Sequence, residues 1–141
     1  MISNYTLLKR SVFESQRTAV GDITDIPAIP KSAPESTEVV GIMKKSVRDD
    51  KSTFNMKYSV EERIFTIRVT VYDKAPEKLP GAYQKDAEIE KTYTVNGVDH
   101  CIMGNYSNLT ATWLNGCVEG NIQGELTLEE MEDMLCSIYE E

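Results

Sequence analysis

The chain has 141 residues, 40% of them hydrophobic, and a net charge of −8. That suits one folded core and is too apolar for a wholly disordered chain, while the apolar stretches are short and broken by charge, so none reads as a membrane span. The acidic balance also argues against nucleic acid as a partner, because gripping phosphates needs a cationic surface.

Residues 1–10 lack both a basic leader and a continuous apolar run, so they do not read as a signal peptide. The expectation is a cytoplasmic protein, or one carried outward by an upstream export or anchor segment. Over residues 5–17, Tyr5, Leu7, Leu8, Val12 and Phe13 recur at a spacing that favours a helix over an edge strand. Residues 21–36 contain Pro27, Pro30 and Pro34, which remove backbone donors and bias their neighbours to extended geometry. Ile23, Ile26 and Ile29 lie among them as apolar anchors, which predicts an ordered wrap covering an edge of the core.

Strands follow. Residues 38–43 form a short candidate. In residues 52–60, Phe54, Met56 and Tyr58 alternate onto one face, the period of a half-buried strand. Glu61-Glu62 makes a tight polar turn into residues 64–72, whose β-branched and aromatic content marks the central strand. Residues 73–86, with Pro76, Pro80 and Gly81 among charges, read as a long surface loop. Residues 88–95 and 98–105 flank Asn96-Gly97, the strongest short hairpin signal, since both central residues must accept positive φ. Residues 109–114 and 117–123 flank a second Asn-Gly, Asn115-Gly116, and complete a meander. On its last strand, Val118 and Ile122 point inward and Cys117, Glu119, Asn121 and Gln123 outward.

Thr127 with Glu130 spells a Thr-x-x-Glu capping box opening a helix. Leu128, Met131, Leu135 and Ile138, with Met134 beside them, form its apolar stripe. Each of these side chains gains roughly 1.5–3 kcal/mol on burial before entropy, so the helix needs the sheet. From Glu125 onward the chain holds seven of the 23 acidic residues and no Lys or Arg, leaving 16 acids against 15 bases upstream. The body is therefore nearly neutral and the helix carries the charge.

The order Val95-Asn-Gly-Val98, Trp113 with Asn115-Gly116, Ile122-Gln-Gly-Glu-Leu-Thr-Leu-Glu-Glu-Met131 and Ser137-Ile138 resembles the C-terminal signature of the bacterial domain-of-unknown-function family 4367. The match covers about the last 50 residues well, and residues 26–72 more loosely. The resemblance implies an extracytoplasmic domain of Gram-positive bacteria, often behind a membrane anchor, and supplies no catalytic residue. Cys117 and Gly120 depart from it, standing where aromatic or larger residues are common.

Few side chains suggest chemistry. His100 and Cys101 are adjacent on a strand and so point to opposite faces, which prevents a thiolate–imidazole pair between them; Cys117 across the sheet is the geometric alternative. Cys101, Cys117 and Cys136 are an odd number without a CxxC spacing, so free thiols are favoured over a disulfide framework or a zinc site, with a single Cys101–Cys117 bridge as the alternative. Asp49-Asp50 and Glu61-Glu62 read as solvated turns. Phosphate-loop, serine-elbow and zinc-protease motifs are absent, so neither cofactor nor metal is expected. Asn4, Asn105 and Asn108 open Asn-x-Ser/Thr triplets and read as turn residues.

These features predict a single α+β domain: an antiparallel sheet of five to seven strands over residues 37–123, with the helix of residues 127–139 packed on one face. The expected function is a non-enzymatic sensing or interaction module for a protein, peptide or small ligand. Its candidate interaction surface comprises Trp113, Glu129, Glu132 and Asp133. The rival readings are a thiol or hydrolytic enzyme using His100 with a cysteine, and a structural module that assembles through strand edges.

Overall fold

The computed structural model describes residues 5–7, 30, 32–41, 45–48, 51–76, 88–105 and 107–139. Short strands Tyr5–Leu7 (β1), Ser32–Pro34 (β2), Glu38–Gly41 (β3) and Lys45–Arg48 (β4) precede the long hairpin Lys51–Val60 (β5) and Arg63–Tyr72 (β6). The meander Ile89–Val95 (β7), Val98–Asn105 (β8), Asn108–Asn115 (β9) and Val118–Gly124 (β10) follows, and then the helix Leu128–Ser137 (α1).

The main sheet is antiparallel throughout, its six long strands ordered β5-β6-β10-β9-β8-β7. Short β3 and β4 lie one after the other along the outer edge of β5. The helix closes one face of this α+β fold, as its apolar stripe requires. β6, expected at the centre, is an interior strand flanked by β5 and β10.

The alternation in each strand sorts the sheet into two faces. One inward row reads Phe54, Val69, Gly120, Trp113, His100 and Tyr93 across β5-β6-β10-β9-β8-β7; the next reads Met56, Ile67, Ile122, Ala111, Ile102 and Lys91. Tyr58 stacks on Phe65 with ring centroids 5.2 Å apart. Met131, Met134 and Leu135 of α1 are buried against this face, with Leu128 and Ile138 partly buried at its margins.

Five ties hold the helix. Thr127 caps it: its Oγ1 accepts the Glu130 N–H at 3.1 Å, and Glu130 Oε1 accepts the Thr127 N–H at 2.9 Å. The Arg63 guanidinium then grips the same carboxylate with both arms, at 2.6 and 3.0 Å. Lys91 on β7 pairs with Glu132 at 2.5 Å. At the far end, Ser137 Oγ accepts the Ser32 N–H at 3.2 Å, and the Tyr139 hydroxyl reaches His100.

Of the two Asn-Gly turns, one forms as expected and one needs correction. Asn96 and Gly97 have φ of 54° and 77°, the type I′ pattern expected of Asn-Gly. In the next hairpin, however, Asn115 pairs with Val118 inside the ladder, so the turn is Gly116-Cys117, with Gly116 at φ 63°. One residue of slip in the turn leaves the inward set of β10 unchanged, because the register is fixed by its buried face.

Tyr5–Leu7, predicted as part of a helix, is a strand paired with Ser32–Pro34. The wrap expected over a sheet edge lies instead against α1 at β2, where Ala33 is fully buried. The Ile23, Ile26 and Ile29 anchors, Asp49-Asp50 and most of the 73–86 loop fall outside the described residues. Asn105 and Asn108, expected in the turn, instead pair as the last rung of the β8–β9 ladder, and the Asn105 Oδ1 braces the turn between them by accepting the N–H groups of Ser107 and Asn108, each at 2.9 Å.

Candidate functional site

The groups that suggested chemistry lie mostly inside the fold. His100 is wholly buried, with Nδ1 2.8 Å from the Tyr93 carbonyl and Nε2 2.7 Å from the Tyr139 hydroxyl. A carbonyl only accepts, so Nδ1 carries the proton; in the neutral ring that burial favours, Nε2 accepts the Tyr139 O–H. Burial drives its pKa below the ordinary value, against smaller opposing effects of the Tyr93 carbonyl and the Asp99 carboxylate. Both ring nitrogens are thus engaged in holding the helix terminus to β7 and β8.

Trp113, whose place on a strand beside the helix favours a core residue over a ligand-stacking platform, is an interior residue with 0% exposure and so takes no part in the candidate interaction surface. Its six-membered ring fills the space above Gly120, where an added Cβ would lie 2.1 Å from the ring carbons. This explains the glycine in a row of large residues: the tryptophan of the neighbouring strand supplies the missing volume. The Trp113 Nε1–H is buried without a hydrogen-bond partner among the described residues.

Of the acidic positions on α1, Glu129 is exposed, whereas Glu132 and Asp133 are partly buried and Glu132 is paired with Lys91. Cys101 faces away from His100, on the side of the sheet opposite the helix, and burial raises its thiol pKa, aided by the Glu90 charge. Cys117 sits in the β9–β10 turn. All three thiols are free, and Cys136 is exposed on the helix.

The face of the sheet turned away from the helix is polar. Its rows run Thr53, Thr70 and Glu119; Asn55, Arg68, Asn121, Thr112, Cys101 and Thr92; and Lys57, Thr66, Gln123, Thr110, Met103 and Glu90. A depression of about 240 Å³ opens at the β5–β6–β10 corner, lined by Lys51, Thr53, Arg68, Thr70, Tyr72 and Glu119. The Tyr72 hydroxyl donates to Glu119 Oε1 at 2.5 Å, the Thr53 and Thr70 hydroxyls share a 3.3 Å hydrogen bond, and Lys51 Nζ lies 5.9 Å from the Tyr72 ring centroid. Among the described residues no carboxylate forms an ion pair with Lys51, Lys57 or Arg68.

This corner was not singled out by sequence reasoning. Half of it was legible: Lys51, Thr53, Asn55 and Lys57 occupy the polar phase of one strand and Thr66, Arg68, Thr70 and Tyr72 that of the next. Glu119 and Asn121 join them only through the β6–β10 pairing, which spans some 50 positions and leaves no local mark. Among the described residues no group of three or more His, Cys, Asp and Glu is placed to hold a metal ion. Comparison with protein-family models, with curated proteins and with solved structures finds no match to this chain.

Proposed function

We propose that this is a non-enzymatic binding module, of the extracytoplasmic kind that the family resemblance implies, which recognises a ligand or protein partner on the open face of its sheet. The observation that carries the reading is the two-sidedness of the fold. His100, Trp113 and the apolar helix stripe are spent on closing one face, and the other carries hydroxyls, amides and cations that form no ion pair among the described residues. Such a surface offers hydrogen-bonding recognition on a rigid scaffold, with Cys101 on the far side of the strand from His100 and no second imidazole in the chain.

Native mass spectrometry and a thermal-shift screen over small polar ligands and candidate partners test it. A ligand at a hundred times its Kd stabilises the fold by about 2.7 kcal/mol, a rise of roughly 5–10 °C in Tm for a domain of this size. A measured catalytic turnover, with no ligand or partner that shifts the melting curve, overturns it.

A further inference from the structure

We infer that the β5–β6–β10 corner is a binding site for a small hydroxylated carboxylate, of the class of sugar acids and hydroxy acids. The inference rests on the binding-module reading and names its site and ligand class. The chain as a whole is acidic, yet among the described residues this corner gathers Lys51 and Arg68, with Lys57 further along β5, against the single carboxylate of Glu119. Arg68 is exposed, and its cross-strand neighbours are Asn55 and Asn121, neither of which can neutralise it.

An unpaired guanidinium fork is the side chain best matched to a carboxylate, taking both oxygens at once, and Lys51 adds a second positive charge at the same depression. Asn121, paired with Arg68 across the β6–β10 ladder, is only 7% exposed, so its amide is held beside the depression and does not move freely in solvent. Thr70, also 7% exposed, is held by Thr53. The floor is therefore preorganised and its cations are on the rim.

Glu119 selects among anions. Tyr72 occupies its Oε1, which leaves Oε2 as an acceptor for a ligand hydroxyl and leaves a negative charge that disfavours a phosphate dianion. A monoanion bearing hydroxyl groups satisfies both ends. The volume of about 240 Å³ lies below the roughly 300–1,000 Å³ of drug-sized pockets, which limits the ligand to about one monosaccharide.

The test is amide chemical-shift mapping of the intact chain, titrated with D-glucuronate, with glucose as the neutral comparison and inorganic phosphate as an anion without a carboxylate or sugar hydroxyls. Saturable shifts centred on Thr53, Arg68, Thr70 and Asn121 are expected with glucuronate, and little response to glucose or phosphate. Arg68→Gln is expected to weaken binding roughly tenfold or more, since it removes a charge-assisted pair, and Lys51→Gln several-fold. Unchanged amide shifts on the helix-facing residues Ile67 and Ile122 show that these surface variants remain folded. Glucuronate shifts elsewhere, equal affinity in Arg68→Gln, or phosphate binding as tight as glucuronate each overturn the site or its class. If glucuronate perturbs nothing while another ligand or partner raises the melting temperature, this inference fails and the binding-module reading stands. If no ligand or partner binds at all, both fail.

Discussion

At the scale of single residues, the inner face depends on a few positions where one atom more or less decides the packing. Gly120→Ala would drive a Cβ into the Trp113 ring, both of them central and held by strands on either side. We predict a loss of at least about 2 kcal/mol in urea unfolding, the upper range for overpacking. Gly97→Ala meets no neighbouring atom and suffers only from its φ of 77°, so about 1 kcal/mol is expected. His100 gives a pH signature with a definite sign. Its folded pKa lies below the ordinary 6.5, so the unfolded chain takes up the proton first. The stabilisation it confers is complete above about pH 6.5 and is lost as the pH falls from there toward the depressed folded value. His100→Gln should be less stable by about 1–3 kcal/mol at pH 8 and should flatten the slope between pH 6.5 and 5, as read by chemical denaturation across pH. Nothing in the spacing of the sequence announced this histidine as the helix tether. Its partner Tyr139 lies 39 positions away, and the strand phase placed His100 only on the face opposite Cys101.

At the scale of elements, the helix start and the first turn stand at opposite extremes of local consistency. The Thr127–Glu130 box was fully legible because a cap is written in four consecutive residues. The grip of Arg63 on Glu130 was not, since it joins residues 67 apart. Burial alone would raise the Glu130 pKa, but hydrogen bonds from Arg63 and the Thr127 amide outweigh it and hold the carboxyl below its ordinary value. That contribution is present above about pH 4.5 and is lost as the pH falls through the lower folded value. Thr127→Ala is predicted to cost about 1 kcal/mol. Combined with Glu130→Ala it should cost less than the sum by roughly 0.5–1 kcal/mol, because the two caps are reciprocal; a double-mutant cycle measures this. The Glu61-Glu62 turn, by contrast, holds two non-glycine residues at φ of 48° and 70°. Replacing them by Asn-Gly is expected to stabilise the hairpin by about 1 kcal/mol, read as a higher urea midpoint. The meander was readable for the same reason as the cap: its strands are sequence neighbours, alternate cleanly and carry turn residues. The slip of the second turn from Asn115-Gly116 to Gly116-Cys117 shows where that reading stops, since the same glycine serves either turn.

At the scale of the whole molecule, what could not be read was the joining of two locally legible halves. The β5–β6 hairpin and the β7–β10 meander meet where β6 pairs with β10, from Phe65 opposite Gly124 to Val71 opposite Val118. The two halves also distribute the thiols unequally between faces and depths. Cys136 on the exposed helix surface should be alkylated first by iodoacetamide, while the half-buried Cys101, its pKa raised by burial and by Glu90, should react more slowly than free cysteine at neutral pH. Timed quenching with peptide mass mapping checks this, and a Cys101 faster than the free amino acid would contradict its surroundings. The same junction sets a schedule for the chain in the cell. Synthesis runs from the N-terminal side, so Phe65, Ile67 and Val69 emerge long before Gly124 and Ile122, the strand that must lie beside them, and the helix comes later still. A nascent chain therefore presents a bare apolar hairpin with an open β6 edge from the time Tyr72 is made until Val118–Gly124 follow. That state invites chaperones and off-pathway pairing until the residues around Glu130 are made and Arg63 can close on them.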